Sequence, residues 1–177
     1  DLVYHFNRAG DHAHEQQYAV LAGEQAAARF ANLEATTYFT RALELTPEDD
    51  RAGRFAIIRA REKVYELQGE RETQMQDIQT LAALADQLDD KARQAEAGLR
   101  RLRYAEVTGD FASMAEVAQQ VIALLPGDAA NEAAGRFQWG VALYRLANYA
   151  EAREQLHLAY QLAESAGLKT IQADALR

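Results

Sequence analysis

The chain has 177 residues, a net charge of −8 and no cysteine, which excludes disulfides, thiolate catalysis and Cys-based zinc sites. Apolar residues make up 49% and charged residues 26%, a globular balance and not a disordered one, and only two prolines favour long helices over many strands. The acidic balance argues against nucleic-acid phosphates and anionic membrane surfaces as direct partners.

Apolar residues recur at helical spacing along the chain. The pattern predicts helices over 2–9, 12–29, 33–46, 50–68, 71–88, 91–108, 111–125, 131–146, 149–165 and 170–177. Ala35, Tyr38, Phe39 and Ala42 form one stripe, and Met75, Ile78, Leu81, Ala82, Ala85 and Leu88 another. Met114, Val117, Ala118, Val121, Ile122 and Leu125 form a third, and Ala152, Leu156, Ala159 and Ala163 a fourth. The breaks carry stop and start chemistry. Ala9-Gly10-Asp11 reads as a turn, and Pro47 ends a helix before Asp49 or Asp50 caps the next. Gly69 and Gly109 stand where a helix stops in a left-handed conformation, and Gly167 ends the last full helix. Asp110 and Asn131 read as caps, and Asn148 with Glu151 as a capping box. Equivalent turns fall near Ala31, Glu70, Asp110 and Asn148, spaced 39, 40 and 38 residues apart. A period of this size in helix pairs joined by short loops implies stacked antiparallel hairpins.

Asn131–Gly167 resembles a tetratricopeptide repeat. Gly140 takes the small crossing position, and Tyr149-Ala150-Glu151-Ala152 the start of the second helix. Ala152 and Ala159 match the small packing positions and Leu156 the large one; Ala35, Phe39, Ala42 and Pro47 match one end earlier. Gly109, Phe111, Ala118 and Val121 match in the third unit, Met114 stands where the family prefers alanine, and Glu70–Leu88 matches worst. The resemblance implies an all-α, right-handed α-α superhelix of about four to five antiparallel helix pairs. It covers 1–177 as one repeat domain, expected to be part of a longer array. A narrower resemblance rests on Leu2-Val3-Tyr4-His5-Phe6, Ala9-Gly10-Asp11, Ala22-Gly23-Glu24-Gln25-Ala26, Ala31-Asn32-Leu33-Glu34-Ala35 and Arg41-Ala42-Leu43-Glu44-Leu45. That order is similar to the repeat region of large bacterial signalling ATPases, the LuxR-type transcriptional regulators and ATPase-coupled nucleotide cyclases. It implies a cytoplasmic regulatory scaffold that binds a partner.

The residues give no sign of an enzyme or a cofactor. Neither GxxxxGK[ST] nor GxGxxG occurs. His5, His12 and His14 cluster in sequence, but His12 and His14 are two apart and point to different sides of a helix. Tyr38, Phe39, Phe55, Tyr65, Tyr104, Phe111, Phe137, Trp139, Tyr144 and Tyr149 read as core. The feature expected to bind is basic. Residues 51–109 carry 11 basic and 10 acidic side chains, against 3 and 9 in residues 1–50. The family register puts four positions of each first helix on a concave face. They are Ala56, Arg59, Lys63 and Glu66; Glu96, Leu99, Arg103 and Glu106; and Ala134, Phe137, Val141 and Tyr144. Arg59 and Lys63 share a helix face, with Arg103 expected across the groove, Arg100 nearby and Tyr144 further along. Such a groove would hold an acidic protein or peptide through charge-assisted hydrogen bonds. The bland alternative is a solvated face paired with Glu62, Glu66, Glu96 and Glu106. The rival function is structural self-association through open repeat ends.

Overall fold

The computed structural model describes residues 11–175. The described residues form nine helices and no strand: α1 His12–Ala28, α2 Asn32–Leu45, α3 Arg51–Gln68, α4 Arg71–Gln87, α5 Lys91–Thr108, α6 Phe111–Leu124, α7 Ala129–Arg145, α8 Tyr149–Ser165 and α9 Lys169–Ala175. Each predicted helix from 12–29 onward appears within two residues of its expected start; the expected helix over 2–9 lies outside the described residues, as do His5 and the run Leu2–Phe6.

The chain divides into two compact units, Asp1–Asp89 and Asp90–Arg177. In the first, α1 packs on α2, α2 on α3 and α3 on α4, while α1 also reaches α3. In the second, each helix from α5 to α8 packs on its successor, and α5 reaches α7 and α7 reaches α9. Short connections leave successive helices no choice but to reverse, so each unit is a set of helical hairpins laid side by side.

One turn geometry recurs within the hairpins. Phe30, Gly69, Gly109 and Ala147 all have positive φ, between 59° and 77°. Each is followed by the N-cap of the next helix: Ala31, Glu70, Asp110 and Asn148. The amide of each of these caps bonds back to the previous helix, to the carbonyls of Ala26, Tyr65, Ala105 and Leu143 at 2.9–3.1 Å. That closing bond satisfies carbonyls a helix end would otherwise leave open. Gly167 repeats the arrangement after α8, where the Leu168 amide bonds to Ala163 O at 2.8 Å.

Aspartates start most of the helices. Asp11, Asp50, Asp90, Asp110 and Asp128 each accept a hydrogen bond from an amide in the first turn. Two cap expectations need correction. Asp128, not Asn131, caps α7; Asn131 lies inside the helix, and its side-chain amide donates to Val121 O at 2.9 Å. Asn148 makes no cap bond to an amide and instead donates to the Glu151 carboxylate at 2.7 Å. Pro126-Gly127 moves the start of α7 toward Asp128, whose short side chain reaches two amides at once.

The core is made of small residues at close crossings. In the first unit Ala19, Ala26, Ala35, Phe39, Ala42, Ile57 and Val64 form one buried cluster. In the second, Leu102, Ala105, Met114, Val117, Ala118, Val121 and Ala142 do. Gly23 and Gly140 are needed for approach: a Cβ would sit 2.7 Å from Phe39 Cε1 at the first and 2.7 Å from Leu156 Cγ at the second. Alanine and glycine let the helices come near enough for the larger side chains to fill the remaining space at interior density.

Candidate functional site

The twelve positions that the repeat register assigns to a concave face are all exposed or half-buried. They alternate on α3, α5 and α7 with residues that pack inward, such as Ile57, Leu102 and Ala142. In the first unit Arg59 and Lys63 are exposed, one turn apart on α3, with Ala56 exposed and Glu66 half-buried beside them. In the second unit Arg103 is exposed on α5. Arg100 is half-buried, and its Nη2 donates to the Glu96 carboxylate at 3.2 Å, one helical turn away. Leu99 of α5 and Val141 of α7 pack against the same core cluster, so these two members of the register border one another's helices.

Tyr144 closes the stripe on α7. It is 58% exposed, its ring meeting Tyr149 edge-on with centroids 5.5 Å apart. Tyr149 was expected in the core, and Tyr144 both among the core aromatics and on the concave register. They stand instead on either side of the left-handed Ala147, where the reversal carries side chains away from the packed faces. Leu146, 49% exposed, adds to this apolar turn. Phe111 is half-buried, with the Arg145 guanidinium 5.8 Å from its ring centroid.

Glu62 also departs from expectation. It does not belong to the solvated face beside Arg59. It is 1% exposed, and its carboxylate accepts from the Gln74 amide at 2.8 Å. Other polar groups bridge helices in the first unit. Arg61 forks onto Asp77, Nε to Oδ2 at 2.9 Å and Nη2 to Oδ1 at 2.6 Å, and its Nη1 donates to Thr40 Oγ1 at 2.9 Å. Burial is the largest influence on Arg61 and opposes its charge, but the Asp77 hydrogen bond together with the charges of Asp77 and Tyr65 outweighs it and raises the guanidinium pKa. Arg41 donates to Glu15 at 2.7 Å and to Glu44 at 3.1 Å; the Glu15 bond, then the Glu44 bond, raises its pKa. In the second unit Arg136 donates to Gln155 at 2.8 Å and to Glu132 at 2.8 Å.

The clustered histidines go separate ways. His12 Nδ1 lies 3.5 Å from the Glu15 carboxylate, while His14 Nδ1 lies 2.7 Å from Asp11. Among the described residues no three His, Asp or Glu side chains converge as a metal-holding group. Among the same residues no helix is long and apolar enough to cross a membrane.

One concave region escaped the sequence reading. In the first unit Thr36, Thr37, Thr40, Arg41 and Glu44 of α2 and Tyr65 of α3 line a hollow of about 400 Å³. Its signal was present as threonines at 36, 37 and 40, one helix face apart, but threonine on a helix carries no motif to attract notice. No protein-family model matches the chain, and no curated protein matches it.

Proposed function

We propose that this chain is a protein-binding repeat module, a right-handed tetratricopeptide-like superhelix and not an enzyme. Its partner is an acidic peptide or protein segment, met by the exposed register of α3 in the first unit and by that of α5 and α7 in the second. The observation that carries this reading is that none of the twelve register positions is buried, while their neighbours on the same helices form the core. Arg59, Lys63 and Arg103 lie on that register with their positions open to solvent; Arg100 and Tyr144 stand beside or on it. A cytoplasmic regulatory setting, as in the repeat region of a bacterial signalling ATPase or transcriptional regulator, agrees with the order of residues 1–45. The test is titration of the whole chain with a short fluorescent peptide rich in Glu and Leu. Arg59→Glu with Arg103→Glu weakens binding about ten-fold or more, with the helical circular dichroism unchanged. Equal affinity for the variant removes the groove assignment.

A second reading, structural self-association, is favoured by the exposed apolar side chains at two turns. Phe30 and Leu33 are 79% and 76% exposed, and Tyr144 and Tyr149 are 58% and 61% exposed. Light scattering over a concentration series separates the two: a monomer at every concentration ends this second reading.

A further inference from the structure

We propose that the threonine-lined hollow of the first unit binds a protonated amine or a guanidinium group. The hydroxyls determine the polarity of the site. Thr36 and Thr37 both donate their protons to the carbonyl of Leu33, at 3.0 and 2.8 Å. With those protons spent, both oxygens have only lone pairs left to offer a ligand. Thr40 accepts from Arg61, which occupies one lone pair of its oxygen and leaves its own proton to donate. The acceptor oxygens of Thr36 and Thr37 call for a ligand that brings donors.

The charges agree. The charged side chains that line the hollow are Arg41 and Glu44, and the buried Glu15, bonded to Arg41, adds a second carboxylate behind them. Arg41 is matched by Glu15 and Glu44, and Arg61 by both oxygens of Asp77, so neither cation is left to attract an anion. Glu44 holds the outward position with its side chain 58% exposed, where a carboxylate keeps its hydration and can take a second cation. Tyr65 contributes an aromatic wall, and the Arg61 guanidinium lies 5.8 Å from its ring centroid, which places that ring in an environment already used by a cation. A carboxylate ligand would face Glu44 and the acceptor oxygens of Thr36 and Thr37. A linear ammonium or planar guanidinium meets complementary partners on each side.

The ligand group has two sources, a free small amine or a Lys or Arg side chain of a bound peptide. Methyl-resolved NMR of the whole chain tests the site. The probes are butylammonium, agmatine, and short neutral-capped peptides carrying one Lys or one Arg, with butyrate and butanol as controls. The Thr36, Thr37 and Thr40 methyl signals move saturably with the cations and not with the controls. Glu44→Gln and Thr37→Val each weaken binding about ten-fold. Peptides that bind tighter than the free amines identify a chain-borne group; equal affinities identify a free one. The proposal is overturned if the cations cause no saturable shift up to about 50 mM, a concentration at which even a very weak site fills. It is equally overturned if butyrate moves the same methyls as far, or if Glu44→Gln leaves binding intact. Because Arg59 and Arg103 are untouched, the outcome is independent of the acidic-peptide titration.

Discussion

The buried Glu62 carboxylate and the Gln74 amide meet at 2.8 Å where α3 crosses α4, and the corresponding two positions in the other hairpins hold Gly23 and Ala35, Leu102 and Met114, and Gly140 and Ala152. These positions lie eight residues before and four after the recurring caps Ala31, Glu70, Asp110 and Asn148. All eight residues are buried. A third position, eight after the cap, completes the crossing with Phe39, Ile78, Ala118 and Leu156. Where the first position is glycine, the third is large; where the first is Leu102, the third is Ala118. Each hairpin thus fills one interior volume by a different division of atoms.

Gln74→Met removes one donor from a carboxylate that is 1% exposed, and costs about 3 kcal/mol in urea denaturation. Glu62→Leu with Gln74→Met and Ile78→Ala copies the trio of α5 and α6 and recovers most of that loss. A triple variant less stable than Gln74→Met alone contradicts the equivalence of the crossings.

Gly140→Leu drives a side chain into Leu156, whose Cγ already stands 2.7 Å from a built Cβ. The cost is about 3 kcal/mol, in the upper part of the range for overpacked cores. Leu156→Ala in the same chain returns the volume, and thermal melting of the pair shows recovery of at least half the loss. Additive losses would mean that the two positions do not share space.

Ala147 and Phe30 hold φ of 63° and 59° at the turn position that Gly69 and Gly109 occupy in the other hairpins. Left-handed backbone strains a residue with a Cβ, partly offset by the greater freedom glycine has when unfolded. Ala147→Gly therefore stabilises by about 1 kcal/mol, and Gly109→Ala destabilises by a similar amount. Chemical denaturation of the two variants, with opposite displacement of the midpoints, checks both signs.

Asp11 caps α1, and the bond from the His14 amide, then the bond to its ring, holds the Asp11 carboxyl below its ordinary value of 3.8. A carboxyl lowered in the folded state stabilises at every pH above 3.8 and loses that contribution as pH falls through the lower folded value. The His14 amide resonance should titrate with its midpoint below 3.8, and amide exchange in the first turn of α1 should quicken below that midpoint. Asp11→Asn abolishes the titration and leaves an uncharged cap in place.

The repeat period was legible because backbone chemistry repeats locally. Gly69 and Gly109 announce left-handed helix ends, and the caps at Ala31, Glu70, Asp110 and Asn148 fall at the expected spacings. The exposed face of α3 was legible too, since helical geometry alone puts Arg59 and Lys63 together. Glu62 and Gln74 could not be placed that way. A glutamate among Arg59, Lys63 and Glu66 looks like surface until a partner helix supplies an amide that makes burial tolerable.

Sequence alone determined the helices, their order and their reversals, because propensity, capping and periodicity act over a few neighbouring residues. Only tertiary structure decided which polar groups are buried, how Gly140 and Leu156 share a crossing, and that Thr36, Thr37 and Thr40 face Tyr65 across a hollow. Those outcomes depend on side chains from different helices meeting in three dimensions, and no local pattern carries the distance between them.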